Sequence, residues 1–428
     1  MKKLYLQAFL FFAIFSFLST RIFAEEFNWP EFLGPNGLGI AESNNVSAPI
    51  TWSEEKNIAW KVEVPGCGWS SPVIWDNQIW LTTSIENETK RLAICYDLNS
   101  GQKLLETTVF EVAEKERCHS VNSFASSTSV IEDGRLYVHF GAIGTAAIDS
   151  ATGEKIWERT DIQWEPIQGY GASPILFENL LILTCDGTDF QFLIALNKET
   201  GETVWKTERS ADFEGIVPLF RKGYCSPLVV HYQGIDYLLS SSSKSAYAYD
   251  PRTGQERWRF DFPLDVSETS TMRPKVWNNR VVVNSGFGTK ATLFALDFTQ
   301  SGILTEEDII WENDNNINQC LTPVLVNDHL FGADGRGIIY CISMETGETI
   351  WTKRIGGGHW ASPVAQKERI YFFNDQNETV IIANNPEECQ IIAKNQLDDG
   401  CMATPAFIGN AIILRTKTHL YRIENQEQ

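Results

Sequence analysis

A hydroxyl-proline step followed by a short apolar run recurs along this chain at near-constant spacing, and few architectures tolerate that. It reads SPVIW at Pro72, SPILF at Pro174, SPLVV at Pro227 and TPVLV at Pro323. SPVAQ at Pro363 and TPAFI at Pro405 continue the series, with RPKVW at Pro274 as a variant. Between Pro72 and Pro174, in ASSTSVIEDGRLYVHFG, Thr128 takes the proline slot. The eight copies lie about 48 residues apart on average. Proline suits the first residue of a strand, where no ladder donor is lost, so each step reads as a strand start.

A second marker runs in parallel. DSATGEKIW ends at Trp157 and recurs as NKETGETVW, DPRTGQERW and SMETGETIW, ending at Trp205, Trp258 and Trp351. DLNSGQKLL has Leu105 in the tryptophan slot, Asp297 to Trp311 carries six extra residues, and ANNPEECQI is a degenerate copy ending near Ile392. Asp or Asn caps its own turn and Gly supplies the positive φ that reverses the chain. The tryptophan then opens a strand in which a large ring can pack between neighbouring units. Trp60 precedes the first hydroxyl-proline step, and no tryptophan slot follows the last one.

A period of this length with four short strands reads as a propeller blade. Both markers count eight. Their offset of one strand reads as ring closure, with an N-terminal strand completing the C-terminal blade, which removes open sheet edges. The expected fold is therefore all-β, an eight-bladed propeller over residues 58–424. An N-terminal extension (25–57) precedes it and a short tail (425–428) follows.

The repeats resemble the PQQ-like (pyrroloquinoline-quinone-like) propellers, through the A-x-D-x-x-T-G-x-x-x-W pattern over about residues 58 to 424. Within that superfamily the chain is similar to secreted bacterial propellers of unassigned role. They share an opening like WPEFLGPNG (Trp29 to Gly37), a third-blade segment like CDGTDFQFLIALNKETGETVW and a closing RTKTHLYRI. More distantly the chain resembles the outer-membrane assembly propeller lipoprotein and the quinoprotein dehydrogenases.

Residues 1–24 read as a secretory signal: two lysines, an apolar run from Leu4 to Leu18, and Ile22 and Ala24 at the expected cut. That run is short for a bilayer span, so cleavage and a periplasmic or secreted location are expected, with no membrane insertion afterwards. No cysteine stands immediately after the cut, unlike the lipoprotein. Setting aside Lys2, Lys3 and Arg21 leaves 32 basic against 55 acidic residues, a net charge near −23. Such a surface repels phosphate backbones, which excludes nucleic acid as a partner. The chain is expected to be a monomer.

In a propeller, the residues before each inner strand line one mouth of the central channel. GCGWSSP and GGGHWASP are then the same corner of blades one and seven. The mouth candidates are Trp69, His119, Asn122, Tyr170, Tyr224, Arg273, Gln319, His359 and Trp360. Aromatic rings with a few polar groups suit a small ligand, a sugar or a peptide; equally, the rings can plug the channel.

The sharper chemistries lack their residues. Resemblance to quinoprotein dehydrogenases implies a flat quinone held between a tryptophan and a ring of two adjacent cysteines, beside calcium on carboxylates. The chain has no adjacent cysteines, and its mouth list has no acidic ligand for a hard cation. No cofactor is expected, pyrroloquinoline quinone with calcium included. No Gly-x-Ser-x-Gly elbow or HExxH occurs, and only His119 and His359 sit where a base could work. Asp186 and Asp189, in TCDGTDF, are the best carboxylate pair for a cation, with a plain capped turn as the alternative. Nine cysteines match no zinc spacing. Cys67 and Cys401 occupy mouth corners of blades that closure makes neighbours, so a disulfide between them is possible, with Cys118 as competitor and free thiols as the alternative. The reading that results is an exported, non-catalytic scaffold binding a protein or glycan partner through its mouth loops, with an oxidoreductase of the quinoprotein type as the alternative.

Overall fold

The computed structural model describes residues 28–41, 46–263, 269–286, 291–315 and 321–426. The signal segment and Gln319 lie outside them. Eight antiparallel sheets follow one another along the chain, each with its first strand innermost. Blade one uses Val73–Trp75, Gln78–Ile85, Lys90–Asp97 and Lys103–Glu111. Blade eight has Ala406–Ile408, Ala411–Arg415 and His419–Glu424 from the C-terminus, and Ile58–Glu63 pairs antiparallel with the last of these as its outer strand. The eight-bladed count is as the two markers require. Among the described residues no helix is long and apolar enough to cross a membrane.

The hydroxyl of the hydroxyl-proline step has a specific task. Ser71 N–H donates to Thr128 Oγ1 (3.0 Å), Thr128 N–H to Ser173 Oγ (3.0 Å), and Ser173 N–H to Ser226 Oγ (2.8 Å). After blade five the chain resumes: Arg273 N–H to Thr322 Oγ1 (2.9 Å), Thr322 N–H to Ser362 Oγ (3.0 Å), and Ser362 N–H to Thr404 Oγ1 (2.9 Å). Six of the eight inner corners thus satisfy a buried backbone donor of a neighbour, which would otherwise cost about 1–3 kcal/mol. The girdle skips from blade four to blade five because Arg273 stands where a hydroxyl is needed. In blade two, Thr128 fills the hydroxyl slot and Ser129 the proline slot, one residue away from the sequence assignment.

The tryptophan slot and the T-G turn are two halves of one joint. Trp157, Trp205, Trp258 and Trp311 donate their indole N–H to carbonyls of Lys198, Pro251, Phe298 and Met344, at 2.9, 3.0, 2.8 and 3.0 Å. Each acceptor lies in the turn of the next blade. A Cβ added to Gly201, Gly254 or Gly347 would fall 2.4–2.7 Å from the ring of the tryptophan behind it. Glycine is therefore required there twice, for φ near +75° and for the ring. Trp60 makes the closing joint, bonding Leu98 O at 3.1 Å in blade one.

Every outer strand also carries a bulge at the residue before the tryptophan slot, such as Ile156, Val204 and Ile350. A bulge twists an edge strand away from pairing with other chains. The bulge in blade seven is Ile392, so Ala393 rather than Ile392 holds its slot. No T-G turn exists in blade eight for a ring to cover, since the outer strand there comes from the other end of the chain. The lengthened segment after Asp297 includes Gly302–Leu304, an added parallel strand on the outer edge of blade four.

Candidate functional site

The segment WPEFLGPNG crosses the ring. Trp29 exchanges two backbone hydrogen bonds with Ile74 of blade one (2.9 and 2.8 Å), and Pro30 O accepts from Ile131 of blade two (2.8 Å). On the opposite side, Arg273 of blade five donates to Phe32 O and to Glu31 Oε2, both at 2.8 Å. Lys275 holds Leu38 O (3.0 Å), and Ile40–Ala41 then pairs in parallel with the innermost strand of blade seven. A Cβ on Gly37 would sit 2.1 Å from the Arg273 guanidinium. The chain thus plugs its own channel with residues from the extension. Local sequence offered no sign of this, because the contacts to blades five and seven span more than two hundred positions and those to blades one and two span dozens to a hundred.

Above the plug lies a cavity of about 380 Å³ lined by all eight blades, with Phe32 reaching into it. The girdle hydroxyls form its wall. Of the sequence candidates, Trp69, His119, Asn122, Tyr224 and Trp360 line it. The Trp69 indole N–H, the Tyr224 hydroxyl and the Thr271 hydroxyl are buried without a partner among the described residues. Burial pushes the Tyr224 phenol well up, so it stays a neutral donor. Asn122 shapes the loop: its Oδ1 accepts from Ser126 Oγ (2.6 Å) and its Nδ2 donates to Gln168 O (3.0 Å). Among the described residues no aspartate or glutamate lines this cavity.

The other candidates go elsewhere. Arg273 is buried in the plug tether. His359 is buried with Nδ1 against Phe373 O (2.9 Å) and Nε2 against Gly356 O (3.2 Å); burial lowers its pKa despite the two carbonyls. It therefore never meets His119, and no acid–base pair assembles. Tyr170 donates to Thr184 O (2.7 Å) and lines a second cavity, at the end of blade two.

The carboxylate pair separates as well. Asp186 is fully buried in an ion pair with Arg209, at 2.8 Å (Oδ2–Nη2) and 3.1 Å (Oδ1–Nε). Desolvation of the carboxyl raises its pKa against the pull of Arg209. Asp189 caps a turn, accepting from Glu165 N–H (2.8 Å) and Phe190 N–H (2.7 Å). The two carboxylates are thus already committed, and no cluster of three or more metal-ligating side chains occurs among the described residues. Cys67 and Cys401 are free thiols. The Cys401 thiol faces Ala403 O (2.8 Å), and the seam between blades eight and one is instead stitched by Arg415. Its Nη1 donates to Ser70 Oγ and Thr82 O, both at 2.8 Å.

An eight-bladed ring of PQQ-like repeats with an aromatic-walled and self-plugged channel is the class this fold and site define. The chain belongs to the family described as outer membrane protein assembly factor BamB, whose profile matches residues 146–231 and 226–424. Among curated relatives, BamB of Alkalilimnicola ehrlichii is 27% identical over 191 residues, covering 43% of each chain. An uncharacterised protein of Rickettsia conorii is 23% identical over 282 residues, covering 66% of this chain and 54% of its own. The matched stretches thus span about half the length of these relatives. Among solved structures, BamB from Moraxella catarrhalis aligns at a TM-score of 0.58 and 12% identity, over 85% of this chain and 99% of its own. Quinohemoprotein alcohol dehydrogenase from Comamonas testosteroni aligns at 0.67 and 11%, over 94% and 81%. At such identities these two likenesses establish the fold.

Proposed function

We propose that the protein is an exported, non-catalytic propeller that docks a protein partner on its mouth face, in the periplasm or outside the cell. The carrying observation is apolar exposure on that face. Val217 and Phe190 are 57% and 58% exposed, and Val121 and Leu219, at 40% and 39%, rim the aromatic cavity. Large side chains left in water beside a pocket with Trp69 and Trp360 are the composition of an interface anchor. Membership of a family described as an assembly factor supports a protein rather than a small metabolite as occupant. The test places a photo-reactive residue at position 217 or 190 in the exporting cell, with position 156 on the outer rim as control. A discrete protein adduct at the mouth positions alone is expected. No adduct, or equal adducts at all three positions, counts against the reading.

A quinone-dependent oxidoreductase is the second reading, favoured by the alignment with the alcohol dehydrogenase. The residues do not fit that group. Among the described residues the channel cavity offers tryptophan faces but no carboxylate for a calcium ion, and the chain has no adjacent cysteines to form the opposing ring. We therefore propose that it works without quinone. Dye-linked alcohol or aldose oxidation that depends on added quinone and calcium would overturn this.

A further inference from the structure

The second cavity, of about 450 Å³, lies at the end of blade two, between the connections that lead into blades two and three. It is built by segments that do not belong to the repeat. The long connection Val112 to Ser127 supplies Phe124 and the rim residues Glu116 and Arg117, and the connection from Thr160 to Gly171 supplies Trp164 and Tyr170. His139 comes from the second strand of blade two, where Phe140 then turns through the short helical turn Gly141–Ile143. A repeat unit by itself has no reason to make this hollow.

Its walls are aromatic and its rim is polar. Trp164 stands edge-to-face on Tyr170 (5.6 Å between centroids, 73°), and the His139 ring stacks on Trp164 (5.8 Å, 17°). Arg91 is buried over the face of Phe124 (5.0 Å) and ion-paired with Glu116 (2.5 Å). Glu116, Arg117, Gln163 and Glu165 are exposed around the opening. Two wall groups are buried without a hydrogen-bond partner: the Trp164 indole N–H and His139 Nε2, whose ring is otherwise fixed by Thr145 Oγ1 at 2.7 Å. Burial holds the imidazole neutral, with its pKa pushed down to about 3. Native interiors rarely leave such groups unsatisfied.

We propose that this cavity is a binding site for a saccharide of one or two neutral rings, seated against Trp164. A sugar ring offers an apolar C–H face to an aromatic wall and hydroxyls around its edge. That edge matches a rim holding both carboxylate and guanidinium groups, which can accept from and donate to hydroxyls. The volume falls within the range of small-ligand pockets. A flat apolar heterocycle would use the walls and leave the rim unmatched. The inference stands apart from the protein-docking reading, which concerns other residues.

The test follows the indole ¹⁵N–H resonance of Trp164 in the mature chain, assigned through Trp164→Phe. Chitobiose, cellobiose and maltose are titrated, with indole as the flat aromatic comparison. A saturable shift with at least one disaccharide is expected, weakened several-fold by Arg117→Ala at the exposed rim. If Trp164→Phe does not fold, selective disappearance of the shift on Phe124→Leu serves the same purpose. A resonance unmoved by all three sugars, or moved only by indole, overturns the proposal.

Discussion

Replacing Gly347 by alanine tests the joint between blades. Two costs can be separated. At φ +75° alanine pays for a left-handed backbone, about 1 kcal/mol or a little more. Its Cβ would also lie 2.4 Å from the ring of Trp311, which is buried and bonded to Met344 O at 3.0 Å. The ring must shift, losing a hydrogen bond worth about 1 kcal/mol and part of an indole's packing, roughly 1–2 kcal/mol more. The expected loss is therefore about 3–4 kcal/mol. Gly234 provides the control: its φ is +81° and nothing lies within 4 Å of an added Cβ, so Gly234→Ala carries only the backbone cost. Urea unfolding followed by tryptophan fluorescence reads the difference as a shift in midpoint at constant slope. In a Trp311→Leu background the two alanines should converge: in blade one, where Leu105 holds the ring slot, its side chain stays 3.8 Å from a Cβ on Gly153, and the closer atom there is Thr107 Oγ1 at 2.9 Å rather than a ring. Equal costs of Gly347→Ala and Gly234→Ala in the native background would refute the joint.

Three further outcomes are expected. Deleting residues 25 to 64 removes both the plug and the outer strand of blade eight, exposing the edge at His419–Glu424; the product should aggregate, and an unchanged melting temperature with monomeric elution contradicts closure. Lys275, buried beside Arg273 at the plug, has its pKa pushed down to about 7 by desolvation and then by that charge. Between that value and the ordinary 10.5 the unfolded chain holds the proton and the folded chain does not, so stability rises with pH there, by up to about 2–3 kcal/mol from pH 7 to 9. Lys275→Met should flatten that rise in thermal melts, and an identical pH profile in the variant sinks the argument. Alkylation of the denatured protein without reductant should label both Cys67 and Cys401, whereas a cross-linked peptide between them would restore the disulfide.

What was legible in the chain is whatever repeats. Blade count, strand starts, the T-G turn, the packing tryptophan and the closing strand at Trp60 each follow from local physics applied eight times. Turn φ angles, strand alternation and ring size act over a few residues, so a period exposes them. Even the small errors were local: Thr128 for Ser129, and Ile392 for Ala393, each a slip of one position. What the tertiary structure alone decided is where non-repeating residues go. Arg273 was read as lining the mouth, yet it reaches back to Glu31 because the extension returns across the ring. His359 turned inward to two carbonyls, Asp186 found Arg209 just past the outer strand of the same blade, and Tyr170 walls a side cavity made by two irregular loops. These ends are set by contacts outside the repeat, from a few residues for His359 to more than two hundred for Arg273, and no spacing along the chain records which segment will cross the channel.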